Sequence, residues 1–164
     1  NIVMVIGKTE GHVDQSLFAR SILDEKNGPP AEVNLFNEKN NGESLLNLIQ
    51  KGYIKSAHDV SLGGIIIAVS KMSIKGNKSI KFNKSKKLIN EIEYFFAEDQ
   101  GRYIIEIKPD NLKEVSKILD KNSVYFEELG IIVDKEMIIN EKTIVTIDEL
   151  KSYNTNWLNN FMSS

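Results

Sequence analysis

The chain has 164 residues, 41% of them hydrophobic and 27% charged, which is the size and composition of one globular domain. Its formal net charge of −2 gives no global field that favours nucleic acid or an anionic membrane as a partner. There is no cysteine, so disulfides and thiolate metal sites are excluded, and we expect a reducing, cytoplasmic setting. No apolar run approaches the roughly 20 residues that cross a bilayer.

The first half of the chain predicts two strands and three helices. Residues 2–6 are an apolar run typical of a buried strand. Because no basic segment or starting methionine precedes this run, we interpret it as a core strand cut from a longer chain. The pattern then predicts a helix from a cap at Asp14 to Leu23, a break at 28–30, a helix from a cap at Asn37 to Gly52, a strand over 54–57 and an apolar helix over 64–73.

The second half is richer in strands. After a loop over 76–85, the pattern predicts a helix over 87–95, a strand over 102–107, a helix over 111–121, strands near 124–133, 137–139 and 143–145, and a C-terminal helix from Asp148. Strands and helices alternate at first, whereas the late strands follow one another as hairpins. This order predicts an α+β fold, in which one mixed sheet carries packed helices in α/β/α layers, as a single domain over residues 1–164.

The densest group of reactive side chains stands where a short predicted strand meets a helix. His58, Asp59 and Ser61 lie together there. Gly63 and Gly64 follow, and glycines let a ligand approach the backbone. Adjacent strand residues point to opposite faces, so His58 and Asp59 do not orient each other as a catalytic triad requires. Two interpretations stay open: Asp59 or Ser61 caps the helix, or the loop presents the helix N-terminus to an anion.

A second glycine-containing turn follows the first strand. Gly7, Lys8 and Thr9 resemble the end of a phosphate-binding P-loop, but that motif requires a glycine where this chain has Ile2. We therefore predict a tight polar turn rather than a P-loop. Its backbone N–H groups can still face a phosphate, and Gly7, Thr9 and Gly11 are the candidate contacts.

A third cluster precedes the strand predicted over 102–107. Glu98 and Asp99 can hold a divalent cation through carboxylate oxygens. Arg102, one of two arginines in a chain with 19 lysines, can grip a phosphate with two N–H groups, beside Gln100. The alternative is a turn with an internal pair between the arginine and a carboxylate. Two histidines in the whole chain argue against a zinc site.

Seven lysines and no acidic residue stand between residues 71 and 87. The segment contains one aromatic residue, Phe82, and no arginine, so base stacking and two-pronged base contacts are both poorly supplied. We predict a solvated loop rather than a nucleic-acid site.

Several of these motifs occur together, in the same order, in one known family. Residues 58–64 and 97–103 resemble signatures of the C-terminal domain of the phosphoribosylformylglycinamidine synthases. Residues 7–16 resemble the loop that follows the first strand of that domain. The Gly-Pro-Pro segment at 28–30 and the closing segment 144–157 extend the resemblance over nearly the whole chain.

This resemblance implies an ATP-dependent C–N ligase of purine biosynthesis, which joins ammonia from glutamine to formylglycinamide ribonucleotide and releases ADP and phosphate. It also implies the fold of AIR synthase C-terminal domains, ATP or ADP with Mg²⁺ as cofactors, and upstream domains in the same chain. A glutaminase subunit and a small accessory subunit are the implied partners. The family's catalytic histidine and main ATP–magnesium residues lie in the upstream domains. No catalytic residue is therefore expected here, and the isolated chain is expected to be inactive.

For this domain the resemblance implies one wall of a nucleotide cleft. The expected nucleotide or substrate phosphate contacts are Gly7, Thr9, Gly11, His58, Ser61, Gly63, Gly64, Gln100 and Arg102, with Glu98 and Asp99 as metal ligands. Leu62 departs from the family pattern, which often has an acid at this position. An apolar side chain cannot bind a metal or a ribose hydroxyl, so Leu62 favours a packing and helix-entry role for its loop.

Two other functions stay open. The first is another ATP-dependent member of the same superfamily, such as an aminoimidazole ribonucleotide synthetase or a selenophosphate synthetase, against which the Asp-Gln-Gly-Arg sequence of residues 99–102 argues. The second is a non-catalytic interaction domain, which a large exposed apolar area would favour.

Overall fold

The computed structural model describes residues 1–83 and 90–163, with the side chains of all but residues 159 and 160. The strands are β1 (Ile2–Ile6), β2 (Ile54–Asp59), β3 (Ser79–Phe82), β4 (Tyr103–Ile107), β5 (Phe126–Val133), β6 (Glu136–Ile139) and β7 (Lys142–Thr146). The α-helices are α1 (Leu17–Ile22), α2 (Leu35–Gln50), α3 (Gly64–Gly76), α4 (Glu91–Phe96), α5 (Leu112–Lys121) and α6 (Ile147–Ser163), and a short 3₁₀ turn spans Pro109–Asn111.

The strands form one mixed sheet with the order β2-β4-β1-β5-β3-β6-β7. β1 is antiparallel to both of its neighbours, β4 and β5, and β2 is antiparallel to β4. β3 runs antiparallel to β5 but parallel to β6, and β7 completes the edge as a hairpin with β6. Because β1 and β2 both oppose β4, they run in the same direction and end at the same edge of the sheet.

Helices cover both faces of the sheet. Along β1, Val3 and Val5 belong to a hydrophobic cluster with residues of α3 and α4, and Met4 and Ile6 belong to a second cluster with residues of α2 and α5. The alternation follows from the two-residue period of a strand, which points successive side chains to opposite faces. The two clusters confirm the predicted α+β fold in α/β/α layers.

The C-terminal helix α6 is packed near its start and exposed further along. Leu150 packs against the hydrophobic cluster that contains residues of α3 and α4. Tyr153, Trp157 and Phe161 follow at spacings that place them near the same face of the helix as Leu150, and all three are exposed. None of the helices in the described part of the chain combines the length and the apolar character that a membrane span requires.

The first two helices begin at different caps from those predicted. Ser16 caps α1, and its hydroxyl accepts the N–H of Ala19 at 3.1 Å. Asn34 caps α2, and its side-chain oxygen accepts the N–H of Asn37 at 3.0 Å. The prediction of Asp14 and Asn37 as caps is wrong, because the cap is the residue whose side-chain oxygen reaches a free N–H group of the first turn.

A strand replaces part of the loop predicted over 76–85. In β3, Ile80 and Phe82 point into the core, and Lys81 between them pairs with Glu141 at 2.6 Å. The high lysine content of this segment favoured the prediction of a loop, although its apolar and polar residues alternate as in a short strand. The charge of Lys81 is balanced by Glu141 in the β6–β7 turn. Lys84, Lys86 and Lys87 lie outside the described residues.

The helix predicted over 87–95 is described only from its cap onward, since residues 87–89 lie outside the described residues. Asn90 begins α4 with a capping box. Its side-chain oxygen accepts the N–H of Glu93 at 2.9 Å, and the Glu93 carboxylate accepts the N–H of Asn90.

Tyr94 ties this short helix to the sheet. Its ring is buried between α3 and the sheet, and its hydroxyl donates to the Glu127 carboxylate of β5 at 3.1 Å. Burial raises the pKa of Tyr94 well above its ordinary value, and the negative charge of Glu127 raises it further.

We expect the folded chain to lose stability above about pH 10, because Tyr94 then ionises in the unfolded state while it keeps its proton in the folded state. The folded state binds more protons there, so the free energy of unfolding falls as the pH rises. Tyr94→Phe should flatten this fall, and Tyr153→Phe, at an exposed position, should not. Urea unfolding between about pH 8 and pH 11 measures both slopes; identical slopes for wild type and Tyr94→Phe would contradict the assignment.

Candidate functional site

The polar motifs meet at one edge of the sheet. β1 and β2 end there, while β4 and β5 begin there. The loop after β1 is held by the hydrogen bond from the Gly7 N–H to the Tyr125 carbonyl at 2.8 Å, and the loop after β2 by the bond from the Val60 N–H to the Arg102 carbonyl at 2.9 Å. Strand direction therefore brings together three motifs that are far apart in sequence.

Arg102 lies inside this assembly and is only 1% exposed. Its Nε donates to the Asp99 carbonyl at 3.1 Å, Nη1 to the Thr9 hydroxyl at 3.0 Å and Nη2 to the Ala97 carbonyl at 2.7 Å. Burial lowers the pKa of Arg102, and the nearby Asp99 carboxylate opposes this shift. The guanidinium therefore donates its hydrogen bonds to groups inside the protein. This arrangement corresponds to the predicted internal pair between the arginine and a carboxylate, and not to the alternative in which Arg102 binds a phosphate.

Asp99 takes the place that we predicted for a ligand's phosphate. Its carboxylate accepts the N–H groups of Glu10, Gly11 and His12 at 3.0, 3.2 and 3.2 Å. One carboxylate oxygen also lies 3.8 Å from Arg102 Nη1. The glycine-containing turn is thus an anion-binding turn whose anion belongs to the chain itself.

Glu98 joins two helices through a single oxygen atom. Its Oε1 accepts the N–H of Leu17 and the N–H of Gly63, each at 2.7 Å. Leu17 is the first residue of α1, and Gly63 immediately precedes α3. A carboxylate placed at two helix N-termini satisfies free N–H groups and complements both helix dipoles.

Gly63 and Gly64 serve the packing of α3 rather than the approach of a ligand. Both have positive φ, 83° and 69°. A Cβ on Gly64 would stand 2.6 Å from the carbonyl oxygens of Phe95 and Ala97, and one on Gly63 would stand 2.3 Å from the side chain of Ile67. The two glycines let α3 begin directly against the end of α4.

Within the His-Asp-Val-Ser motif, His58 and Asp59 stay in contact, with His58 Nδ1 3.3 Å from an Asp59 carboxylate oxygen, although strand alternation predicted that the two side chains would not meet. β2 extends to Asp59, two residues beyond the predicted end. His58 lies on the α3 side of the sheet and bonds through Nδ1 to the Asp59 carbonyl at 2.6 Å. Ser61 is exposed and its carbonyl accepts the N–H of Gly64. Neither Asp59 nor Ser61 caps α3, because Gly63 holds the cap position without a side-chain bond.

The predicted metal ligands Glu98 and Asp99 do not form a metal site with any of the residues that the structure describes. Glu98 and Asp99 direct their carboxylate oxygens at backbone N–H groups. No group of three or more His, Cys, Asp or Glu side chains suited to an ion occurs among the residues that the structure describes. Mg²⁺ needs several oxygen ligands in octahedral order, and these residues do not supply them.

An open polar cleft lies beside the internal network, formed by two adjoining cavities of about 450 and 410 Å³. Gln100 and Glu38 line both. The larger cavity is also lined by Gly7 and the side chains of Lys8, Glu10, Glu32, Asn34, Asn37 and Asn41. The smaller one is lined by Ser61, Leu62 and Tyr103. We call the two together the strand-end cleft.

Sequence reasoning missed the contribution of α2 to this cleft. Asn41 donates from its side-chain amide to the Gly101 carbonyl at 2.9 Å, and Glu38 packs where a Cβ on Gly101 would come within 2.9 Å. The helix pattern shows these residues only as a polar face. No local signal links them to a loop about sixty residues further along the chain.

Of the predicted contacts, Gly7, Ser61, Gln100 and the buried Arg102 line the strand-end cleft, as do the predicted metal ligands Glu98 and Asp99. Thr9 is buried against Arg102, and Gly11 is bound to Asp99. His58 lines a different cavity.

The chain is similar to one known family along most of its length. A family model described as AIR synthase related protein, C-terminal domain, matches residues 1–140. The phosphoribosylformylglycinamidine synthase subunit PurL of Pelagibacter ubique (strain HTCC1062) is 64% identical over 164 residues, 100% of this chain and 22% of that protein. The same subunit of Bartonella henselae is 34% identical over 160 residues, 98% of this chain and 22% of that protein. The chain thus spans about a fifth of the length of these curated relatives.

Solved structures show the same fold. Thermotoga maritima PurL complexed with FGAR superposes with a TM-score of 0.72 at 17% identity, covering 91% of this chain and 27% of that one. T. maritima PurL complexed with ATP gives 0.65 at 16% identity, and the PurLQS structure from the same organism gives 0.66 at 18% identity. Each of these two covers 91% of this chain and 25% of the matched chain.

We expect Asp99→Ala to lower the free energy of unfolding by about 3–5 kcal/mol, because it leaves a buried guanidinium without its carboxylate. It also removes the acceptor of three backbone N–H groups. Asp99→Asn should cost less, since one side-chain oxygen remains. Glu43→Ala, which breaks an exposed pair with Lys39, should change stability by no more than about 0.5 kcal/mol. Urea unfolding measures all three; an Asp99→Ala cost as small as that of Glu43→Ala would contradict the assignment.

A second variant tests the contact between α3 and α4. Gly64→Ala should destabilise the chain by about 1–3 kcal/mol, because the new methyl group meets two backbone carbonyls at a positive φ. Gly42→Ala, in the middle of α2, meets nothing closer than 3.6 Å and should stabilise by about 0.5–1 kcal/mol. Thermal unfolding distinguishes the two signs. A neutral or stabilising Gly64→Ala would contradict the close packing.

Proposed function

The chain belongs to the family of AIR synthase related proteins, C-terminal domain, and on this basis we propose that it is the C-terminal domain of a phosphoribosylformylglycinamidine synthase. The observation that carries the proposal is the 64% identity to the Pelagibacter PurL, which extends over all 164 residues. This similarity favours the synthase over the other ATP-dependent synthetases of the superfamily and over a non-catalytic interaction domain.

The activity would belong to the longer protein, a cytoplasmic ligase of purine biosynthesis. ATP transfers its γ-phosphoryl group to the amide oxygen of formylglycinamide ribonucleotide, and ADP leaves. Ammonia then attacks the activated carbon, the C–O bond breaks, and phosphate leaves as the amidine forms. A glutaminase subunit would supply the ammonia, and a small accessory subunit would complete the complex. The Thermotoga PurLQS structure, whose name includes components beyond PurL, supports partner subunits.

The charges of the strand-end cleft suggest which part of a nucleotide this domain contacts. Side-chain amides of Asn37, Asn41 and Gln100 offer both donors and acceptors to hydroxyl and amide groups. Glu32 and Glu38 line the same space and disfavour a bare phosphate, whereas Glu10 is paired with Lys8 at 2.6 Å. We therefore assign this wall to the sugar or amide part of a ligand, with phosphate and Mg²⁺ held by the upstream domains.

The internal network gives the domain a positioning role in this scheme. Arg102, Asp99 and Glu98 hold the three loops that carry Gly7, Ser61 and Gln100. Among the residues that the structure describes, the buried charged groups are Asp99 and Arg102, and both are engaged by hydrogen bonds within the chain. The reacting atoms would therefore meet their catalytic residues in upstream domains.

The proposal is tested by transplantation. The corresponding 22% of the Pelagibacter PurL is replaced by this chain, and the chimera is assayed for ammonia-dependent formation of the amidine and for growth of a purine auxotroph. We expect activity within about tenfold of the parent. The 164-residue chain alone should release no phosphate from ATP. A folded but inactive chimera, or an active isolated chain, would overturn the proposal.

In the chimera, Gln100→Ala should raise KM for the ribonucleotide roughly tenfold if the cleft binds it, since one polar ligand contact is lost. Glu43→Ala, on an exposed position of α2, is the matched control and should leave KM unchanged. Equal KM values for the two variants would remove the strand-end cleft from the substrate site while leaving the family function intact.

A further inference from the structure

A second cavity lies on the α3 side of the sheet, apart from the strand-end cleft. Its volume is about 650 Å³, within the range of roughly 300–1,000 Å³ that small-molecule sites occupy. Val3, Ile80 and Ile132 of the sheet form its apolar floor, and Val69 and Met72 of α3 lie across from them. We call it the α3 cavity. It shares no lining residue with the strand-end cleft.

The rim of the α3 cavity carries positive charge that no residue in the described part of the chain neutralises. Lys71 and Lys75 stand one helical turn apart on α3, and both are exposed. Neither forms an ion pair with any of the described residues. Lys78, the third lysine of the lining, is already paired with Asp134 at 2.5 Å. Two adjacent free ammonium groups therefore border an apolar space.

The acidic side of the cavity is satisfied internally. The Glu106 carboxylate accepts from the Asn1 side chain at 2.5 Å and from the Ser56 hydroxyl at 2.8 Å. A ligand's cationic group would have to compete with these bonds, whereas an anionic group finds Lys71 and Lys75 unpaired. The charge balance of the lining thus favours a negative ligand.

A buried hydroxyl adds a polar contact to the lining. Ser79, at the start of β3, is 1% exposed, and its Oγ has no hydrogen-bond partner in the described part of the chain. Buried polar atoms are normally hydrogen-bonded, and an unsatisfied one is destabilising. Ser73, also buried, lines the same cavity from α3. A ligand that carries a polar group on an apolar body would contact both the apolar floor of the cavity and these buried hydroxyl groups.

We propose that the α3 cavity binds an organic anion: an aromatic or aliphatic body that ends in a carboxylate, a sulfonate or a phosphate ester. The apolar body lies over Val3, Ile80 and Ile132, and the anionic end lies at the rim beside Lys71 and Lys75. The carbonyl end of α3 at Gly76 disfavours negative charge, which places the anion at the lysines rather than under the helix terminus. The site is independent of the proposed synthase function.

The test uses two dyes with the same aromatic body. 8-Anilinonaphthalene-1-sulfonate carries the anionic group, and N-phenyl-1-naphthylamine lacks it. Fluorescence titration of the 164-residue chain should show saturable 1:1 binding of the sulfonate. Lys71→Gln/Lys75→Gln should weaken the sulfonate about fivefold, the loss expected for two partly exposed charge contacts, and leave the neutral dye unchanged. Lys113→Gln/Lys117→Gln, an exposed pair with the same spacing on α5, is the matched control.

The position of the bound dye is determined by NMR, from the chemical shifts of side-chain methyl groups. Met72, Ile80 and Ile132 should shift on titration, whereas residues near the exposed aromatic face of α6 should not. Ser73→Leu, which fills the cavity, should abolish binding of both dyes; if it fails to fold, the lysine variants still decide the question. Absence of saturable binding, equal weakening by the α3 and α5 lysine pairs, or shifts confined to α6 would each overturn the proposal.

Discussion

The buried pair of Arg102 and Asp99 is the constraint on which the functional edge of this domain depends. Taking two charges out of water is costly unless each is paired and fully hydrogen-bonded. Here the guanidinium reaches Thr9, the Ala97 carbonyl and the Asp99 carbonyl, while the carboxylate gathers three N–H groups of the loop after β1. Neither charge can be satisfied unless that loop and the start of β4 are both in place.

The need to pair every buried charge also explains why the conspicuous motifs do not form a reaction centre. Glu98 binds the N-termini of α1 and α3, and Asp99 occupies the anion-binding turn, so both carboxylates are consumed by backbone groups. Gly64, at the start of α3, allows that helix to contact the end of α4. Surface open to a ligand is found next to the network, where α2 supplies amide side chains to the strand-end cleft. Loops that are held by internal hydrogen bonds beside an open polar wall fit the proposal that this domain contributes one wall of a site shared with upstream domains.

Helix α3 connects the two regions of interest. Its N-terminus is held by Glu98 and pressed against α4 through Gly64, which fixes its position over the sheet. Its C-terminal half then lies across the α3 cavity with Lys71 and Lys75 at the rim. The lysine-rich segment that suggested only a solvated loop therefore contributes a paired strand, an ion pair on Lys81 and two free charges beside an apolar space.

The sequence by itself determined the α+β class, the layered sheet and most of the elements, because apolar periodicity records which face of each strand or helix is buried. It also identified Glu98–Arg102 and Gly7–Gly11 as special, since charge and glycine are rarely placed together without a reason. Only the tertiary structure decided what these residues do. The partners of Arg102, Asp99 and Glu98 lie in loops up to about ninety residues away, and hydrogen bonds over such separations leave no local pattern. Strand β3 and the role of α2 were hidden for the same reason, because each depends on partners far away in sequence. The caps at Ser16 and Asn34 make local bonds that span three residues, and they were missed because the sequence offers another cap-forming residue close to each of them.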